Sequence, residues 1–246
     1  MKMFCIGNWK MNPTTAKEAF RLGENIAEKA SSCPQVITVL CPPFPFLAHL
    51  SSLSFALGGQ DCFLEQKGAY TGEVSPLMLK DQGCKYVILG HSERGESDEV
   101  VQKKIRAAVR SGLTPVICIG EEKPSSPKFL HKRLHSRLQD IPATVLLKSL
   151  LVYEPVWAIS TTKGGKPATQ EAVALAISAF RDFLVKEAGE RVGFAIPILY
   201  GGSVDKKNIN IFLKAGAQGV LVGGASLKSK EFTALIAEME LHAQTV

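Results

Sequence analysis

Eight short apolar runs recur along the 246 residues, most of them continuous rather than alternating with polar residues. They are Met3–Gly7, Val36–Cys41, Ala56–Gln60, Tyr86–Gly90, Val116–Gly120, Leu150–Tyr153, Ile196–Tyr200 and Val220–Gly223. A strand with one wet face alternates; a continuous run suits a strand covered on both faces, as in a parallel sheet flanked by helices. The run at Ala56 is the weakest and is placed partly by its position in the series. Between the runs the period changes. Ala16, Ala19, Phe20, Gly23 and Ile26 form a stripe within Thr15–Ala30, and Val101, Ile105, Ala108 and Val109 form another within Glu99–Ser111, where Gly112 reads as a C-cap. Gln170–Glu187, Lys207–Ala215 and Phe232–Leu241 complete the helical segments. Strand and helix alternate with no break in composition, which predicts one α/β domain over residues 1–246. Eight such strands at this length fit a parallel (β/α)8 barrel.

Charge and cysteine usage narrow the classes. The formal charge is +6 without a long basic block, a balance that suits the focusing of a small anion. The densest stretch, with Lys123, Lys128, Lys132, Arg133, Arg137, His131 and His135, reads as the solvated face of a helix. Nucleic-acid binding rests on the overall charge alone and is not expected. None of the six cysteines has metal-ligand spacing. Cys5, Cys41 and Cys118 lie in apolar runs as small hydrophobes. A reducing, cytoplasmic setting follows. No dinucleotide fingerprint occurs, and the Gly-Gly-Lys after Lys163 does not match a P-loop. No cofactor or metal is expected. The first apolar stretch is too short for a leader, and no run is long enough to span a membrane.

In a parallel barrel the strands' C-terminal ends form one mouth. Here those ends carry Asn8-Trp9-Lys10, His91-Ser92-Glu93-Arg94, Glu154, Gly201-Gly202-Ser203 and Gly223-Gly224. Each has a bland reading: Lys10 as a loop lysine, His91 as a rim histidine, the glycine pairs as turns. Their convergence on one edge is what weakens those readings together. Glu154 directly follows an apolar strand, where a carboxylate must be compensated. A lone carboxylate at a water-poor mouth suits a general base. Ser92 is expected to cap a helix starting after His91, aiming N–H groups at a neutral imidazole. Such an imidazole can donate to a carbonyl oxygen as it becomes an enolate. Lys10 supplies positive charge, and Gly223-Gly224 before Ala225-Ser226-Leu227 offers amides for a phosphate. The set suggests proton abstraction beside a carbonyl on a phosphorylated substrate.

Seven segments in order carry a closer likeness: GNWKMN at Gly7–Asn12, GAYTGEVSPLMLKD at Gly68–Asp81, LGHSER at Leu89–Arg94, CIGE at Cys118–Glu121, YEPVWAI at Tyr153–Ile159, LYGGSV at Leu199–Val204 and GVLVGGASL at Gly219–Leu227. With these the sequence resembles the triosephosphate isomerase family from end to end. The resemblance implies a TIM barrel that interconverts dihydroxyacetone phosphate and glyceraldehyde 3-phosphate through an enediolate. It implies Glu154 as the base, His91 as the electrophile, Lys10 and Asn8 on the substrate, and Glu93 paired with Lys10. It implies backbone amides of Ser160, Ser203, Gly223 and Gly224 on the phosphate, and a lid from Pro155 to about Ala168 with Trp157 at its hinge. It also implies a homodimer in which the loop Gln66–Gly72 brings Thr71 to the partner's site.

The sequence departs from the family pattern at three places. The lid, usually AIGTGK, reads Ala158-Ile159-Ser160-Thr161-Thr162-Lys163, followed by Gly164-Gly165; this predicts altered lid kinetics. The usual extension after Arg94 is missing, and Glu122–Pro127 differs. Two other functions compete. A Schiff-base aldolase would use Lys10, but a Glu93 partner favours the unreactive ammonium. A non-catalytic sugar-phosphate sensor would keep the seat without turnover, with only the unusual lid in its favour.

Overall fold

The computed structural model describes residues 2–159 and 167–245. Its strands are β1 (Met3–Asn8), β2 (Val36–Cys41), β3 (Ala56–Gly59), β4 (Cys84–Leu89), β5 (Thr114–Glu121), β6 (Leu150–Pro155), β7 (Ile198–Tyr200) and β8 (Gly219–Val222). All pair in parallel, each with its sequence neighbour. β8 returns to β1, with Phe4 opposite Gly219, and closes the ring. The helices among the described residues are α1 (Ala16–Ser31), α2 (Leu47–Leu50), α3 (Pro76–Asp81), α4 (Asp98–Arg110), α5 (Pro127–Leu138), α6 (Ala143–Leu146), α7 (Gln170–Ala188), α8 (Glu190–Ala195), α9 (Ile209–Lys214) and α10 (Ser229–Thr245). None of them is long and apolar enough to cross a membrane.

The continuous apolar runs divide by parity into two cores. Ile6, Val39, Cys41, Ile88, Val116, Cys118, Leu150, Val152, Leu199 and Leu221 pack together inside the barrel. Their neighbours Cys5, Leu40, Leu89, Ile117, Ile119, Leu151 and Tyr153 belong to the outer core, beneath the helices. Period two then sets the mouth. Asn8 continues the inward series of Ile6, Glu154 that of Leu150 and Val152, and Gly223 that of Leu221.

Local chemistry fixes the helix starts. Thr15 accepts the Glu18 N–H at 3.3 Å, Ser97 that of Val100 at 3.4 Å, and Thr169 that of Ala172 at 3.2 Å. Each cap contributes about 1 kcal/mol. Gly112 stands at φ +76 just past α4 and ends it as expected. Several boundaries differ from the sequence reading: β4 and β5 each begin two residues earlier and β6 ends two later, and three others shift as well. β7 begins after Pro197, which has no N–H to give a ladder. α9 begins at Ile209 because the Asp205 carboxylate takes the N–H groups of Lys207 and Asn208 at 2.8 and 3.0 Å. α10 starts earlier, at Ser229. The expected solvated face holds on α5 for Lys128, Lys132 and His135, which are exposed; Lys123 is exposed too but lies before the helix. Arg137 is a correction: it is buried, its Nε 2.6 Å from the Asp98 carboxylate.

Candidate active site

The mouth encloses a cavity of about 400 Å³ lined by Asn8, Lys10, His91, Glu154, Ser203, Gly223 and Gly224, among others. Seven of the residues expected from the sequence therefore face one space. Ser160 lies outside the described residues, as do Thr162, Gly164 and Gly165. A larger side chamber of about 670 Å³ shares His91 and Glu154 and opens between Gly95-Glu96 and Glu122–Ser125. These are the two places where the sequence, outside the lid, departs from the family pattern.

Glu154 is 2% exposed at the inner end of β6. Its carboxylate is compensated by Ser92, whose hydroxyl donates to Oε1 at 2.8 Å and whose N–H donates to Oε2 at 3.2 Å. His91 Nε2 stands 3.4 Å from Oε1. The capping expectation is corrected here. His91, not Ser92, caps the short 3-10 turn Ser92–Arg94, and its Nδ1 accepts the Glu93 N–H at 3.3 Å. The free loop after β4 is too short to place a full helix behind the imidazole, so the ring serves as its own cap. An imidazole accepting at Nδ1 carries its proton at Nε2. That proton faces the Glu154 carboxylate across the mouth.

Lys10 follows β1 in a left-handed conformation, φ +53, that costs a residue with a Cβ about 1–3 kcal/mol. Its N–H donates to Asn8 Oδ1 at 3.0 Å. Its Nζ meets Glu93 Oε1 at 2.5 Å, the pairing expected from the sequence. Asn8 thus shapes the Lys10 backbone, a role its position alone did not reveal. A Cβ on Gly223 would lie 3.4 Å from Lys10 Cε, and a Cβ on Gly224 would meet nothing within 4 Å. The backbone there borders open space beside the ammonium. Ser203 is engaged differently: its N–H and hydroxyl both donate to the Ala158 carbonyl, at 3.1 and 2.8 Å. Thr71 lies in an exposed loop.

Trp157 donates its indole N–H to Glu121 Oε1 at 3.4 Å, where the Tyr153 hydroxyl also donates at 2.8 Å. The Ser125 hydroxyl donates to the other oxygen of Glu121. Burial, reinforced by this carboxylate, pushes the Tyr153 phenol far above its ordinary value. Glu121, outward on β5, therefore ties the first residues after β6 to the barrel. It was not singled out beforehand; its signal was a carboxylate closing an apolar run.

The chain matches the family model described as triosephosphate isomerase over residues 3–239. It is 42% identical over 241 residues to the protein named triosephosphate isomerase of Dehalococcoides mccartyi, covering 93% of each chain. To that of Roseiflexus sp. it is 40% identical, over 94% of each. To that of Carboxydothermus hydrogenoformans it is 41% identical, over 96% of this chain and 98% of the relative. With a closed parallel barrel and these reactive groups at its mouth, the chain belongs to the triosephosphate isomerase family.

Proposed function

We propose that this chain interconverts dihydroxyacetone phosphate and glyceraldehyde 3-phosphate by proton transfer through an enediolate. The observation that carries this reading is the buried Glu154 carboxylate set 3.4 Å from His91 Nε2, on a ring whose other nitrogen is already an acceptor. Glu154 takes the proton from the carbon beside the carbonyl. Charge then develops on oxygen, where His91 Nε2–H donates and the Lys10 ammonium attracts. Glu154 returns the proton to the neighbouring carbon. To reach the substrate, its carboxylate leaves Ser92, so the observed arrangement is the resting one. The phosphate lies against the backbone of Gly223 and Gly224, with Ser160 and Ser203 as further donors; Ser203 serves once Ala158 releases it. A lid from Pro155 to about Ala168, hinged at Trp157, excludes water from the enediolate.

The working unit in this reading is a homodimer in the cytoplasm. The loop Gln66–Gly72 is exposed, and exposed apolar side chains include Tyr70 within it, Leu77 and Met78 in the α3 that follows, and Met11 (88%) after β1. A partner that covers them brings Thr71 to the neighbouring Lys10 and His91. All six cysteines are free thiols, consistent with a reducing compartment. Sedimentation velocity that finds only monomer at micromolar concentration refutes the dimer.

The test of the activity is turnover of glyceraldehyde 3-phosphate in a coupled assay, beside Glu154→Gln. The parent turns over, and the variant loses about 10²–10⁴-fold or more in kcat. A folded parent that binds sugar phosphate without turnover refutes the proposal.

A further inference from the structure

The left-handed backbone of Lys10 needs an external support, and the structure shows where it comes from. Gln60 stands just beyond β3, half-buried, and its Nε2 donates to the Lys10 carbonyl at 2.7 Å. The same amide donates to the Cys41 carbonyl at 2.8 Å. Cys41 ends β2, and its carbonyl also receives the Trp9 N–H at 3.1 Å. Two short bonds to two carbonyls fix the amide orientation, because a flipped group would set oxygen against oxygen. Both hydrogens of the Gln60 amide are thereby used on backbone, with none left for substrate. Asn8 Oδ1 meanwhile accepts the Lys10 N–H at 3.0 Å.

Lys10 is therefore gripped on both sides of a conformation that disfavours any residue bearing a Cβ. Its ammonium, by contrast, is held among the described residues only by Glu93, half-exposed at the rim. An ammonium that must exchange Glu93 for a substrate oxygen needs a backbone that stays in place during the exchange. Without the grip, the residue relaxes to an ordinary conformation and the side chain leaves the mouth.

We propose that Gln60 is a positioning residue for the Lys10 ammonium, acting by clamping the strained Lys10 backbone to the end of β2. The proposal rests on the isomerase reading, and its test separates the two. The parent, Gln60→Met, Lys10→Ala and the double variant are compared by kcat/KM for glyceraldehyde 3-phosphate and by the calorimetric Kd of 2-phosphoglycolate. That probe carries a phosphate and a carboxylate shaped like the enediolate. Gln60→Met keeps the length and packing of the side chain but has no donor; Gln60→Ala is the second choice if it does not fold. With Lys10 present, loss of the clamp lowers kcat/KM about 10²-fold, as for a displacement near 1 Å, and weakens the probe about tenfold. In the Lys10→Ala background the same substitution changes the probe's Kd less than about twofold. Equal losses in both backgrounds mean a general structural effect and overturn the proposal alone. A parent that lacks turnover overturns the isomerase reading and the proposal with it.

Discussion

Gly120→Ala is the sharpest probe of how the barrel carries the base. Gly120 lies in β5 directly opposite Glu154 of β6. A Cβ there would stand 1.8 Å from the Glu154 carbonyl oxygen and 2.9 Å from its carbonyl carbon. Both are backbone atoms of a paired strand, so no side chain can swing aside. To restore an ordinary contact the two strands must part by about 1.6 Å at this point, in an interior packed as densely as a crystal. Overpacking costs typically about 1–3 kcal/mol, and a backbone clash belongs at the upper end. For a chain of this length about 3 kcal/mol lowers Tm by roughly 6–12 °C. The same displacement moves the carboxylate, and about 1 Å of misplacement costs on the order of 10²-fold in rate. Thermal denaturation and the coupled turnover assay read the two effects separately. A variant with Tm within about 2 °C of the parent's and undiminished kcat would show that β5 and β6 can separate here without consequence, and the argument would fail.

Three further outcomes follow from the ionic and polar interior. Lys104 is buried, with its ammonium 2.9 and 2.7 Å from the two Asp61 oxygens and 2.5 Å from Glu96. Lys104→Met leaves both carboxylates, among the described cations, with only the half-exposed Arg94, and urea denaturation is expected to show a loss of about 3–5 kcal/mol; a loss under about 1 kcal/mol contradicts the pairing. Stability also falls at alkaline pH. Burial, with Asp61 nearby, raises the Cys62 thiol from 9.0 to about 12, and burial alone does the same for Cys84. Burial lowers the Lys104 ammonium's hold on its proton, but hydrogen bonds to Asp61 and Glu96 outweigh it and the net shift is upward. In each case the folded form keeps a proton that the unfolded chain gives up; for the two thiols the stabilisation is whole below pH 9 and drains between 9 and about 12, and for Lys104 it is whole up to its ordinary 10.5 and is lost above it. Each thiol steepens that slope by about 1.4 kcal/mol per pH unit, and Cys62→Ala removes one such increment; an unchanged slope refutes it. Ser92→Ala takes the nearer donor from the Glu154 carboxylate and lowers stability by about 1.5–3 kcal/mol, and a parental unfolding midpoint would show that the hydroxyl does not serve it.

What could be read beforehand was what repeats. The inward parity of Leu150 and Val152 extends without adjustment to Glu154, and that of Ile6 to Asn8, so the mouth was legible from strand period alone. The buried position of Arg137 was also encoded: it shares a helical face with Leu130 and Leu134, and charge composition drew attention away from that spacing. The contacts that do not repeat stayed hidden. Ser92 meets Glu154 across 62 residues, Gln60 meets Lys10 across 50, and Tyr153 meets Glu121 across 32. Each depends on which rotamer a side chain takes once the strands and loops have come together, and no local pattern reports it. The His91 cap was misassigned for a related reason. Ser has the better intrinsic tendency to cap, but here its hydroxyl serves the buried carboxylate.

Closure of the ring also sets an order in time. Lys10 follows the first strand and Gly223 the last, and the two become neighbours only across the seam between β1 and β8. During synthesis the ammonium emerges early and waits for nearly the whole chain before the phosphate seat exists. Until then the sheet has two open edges, the state most prone to pairing with other chains, and no intermediate length possesses a complete mouth. Activity in this architecture is therefore a certificate of completion: a chain still lacking β8 gives no partial turnover, and the cell meets the chemistry only once the ring can close.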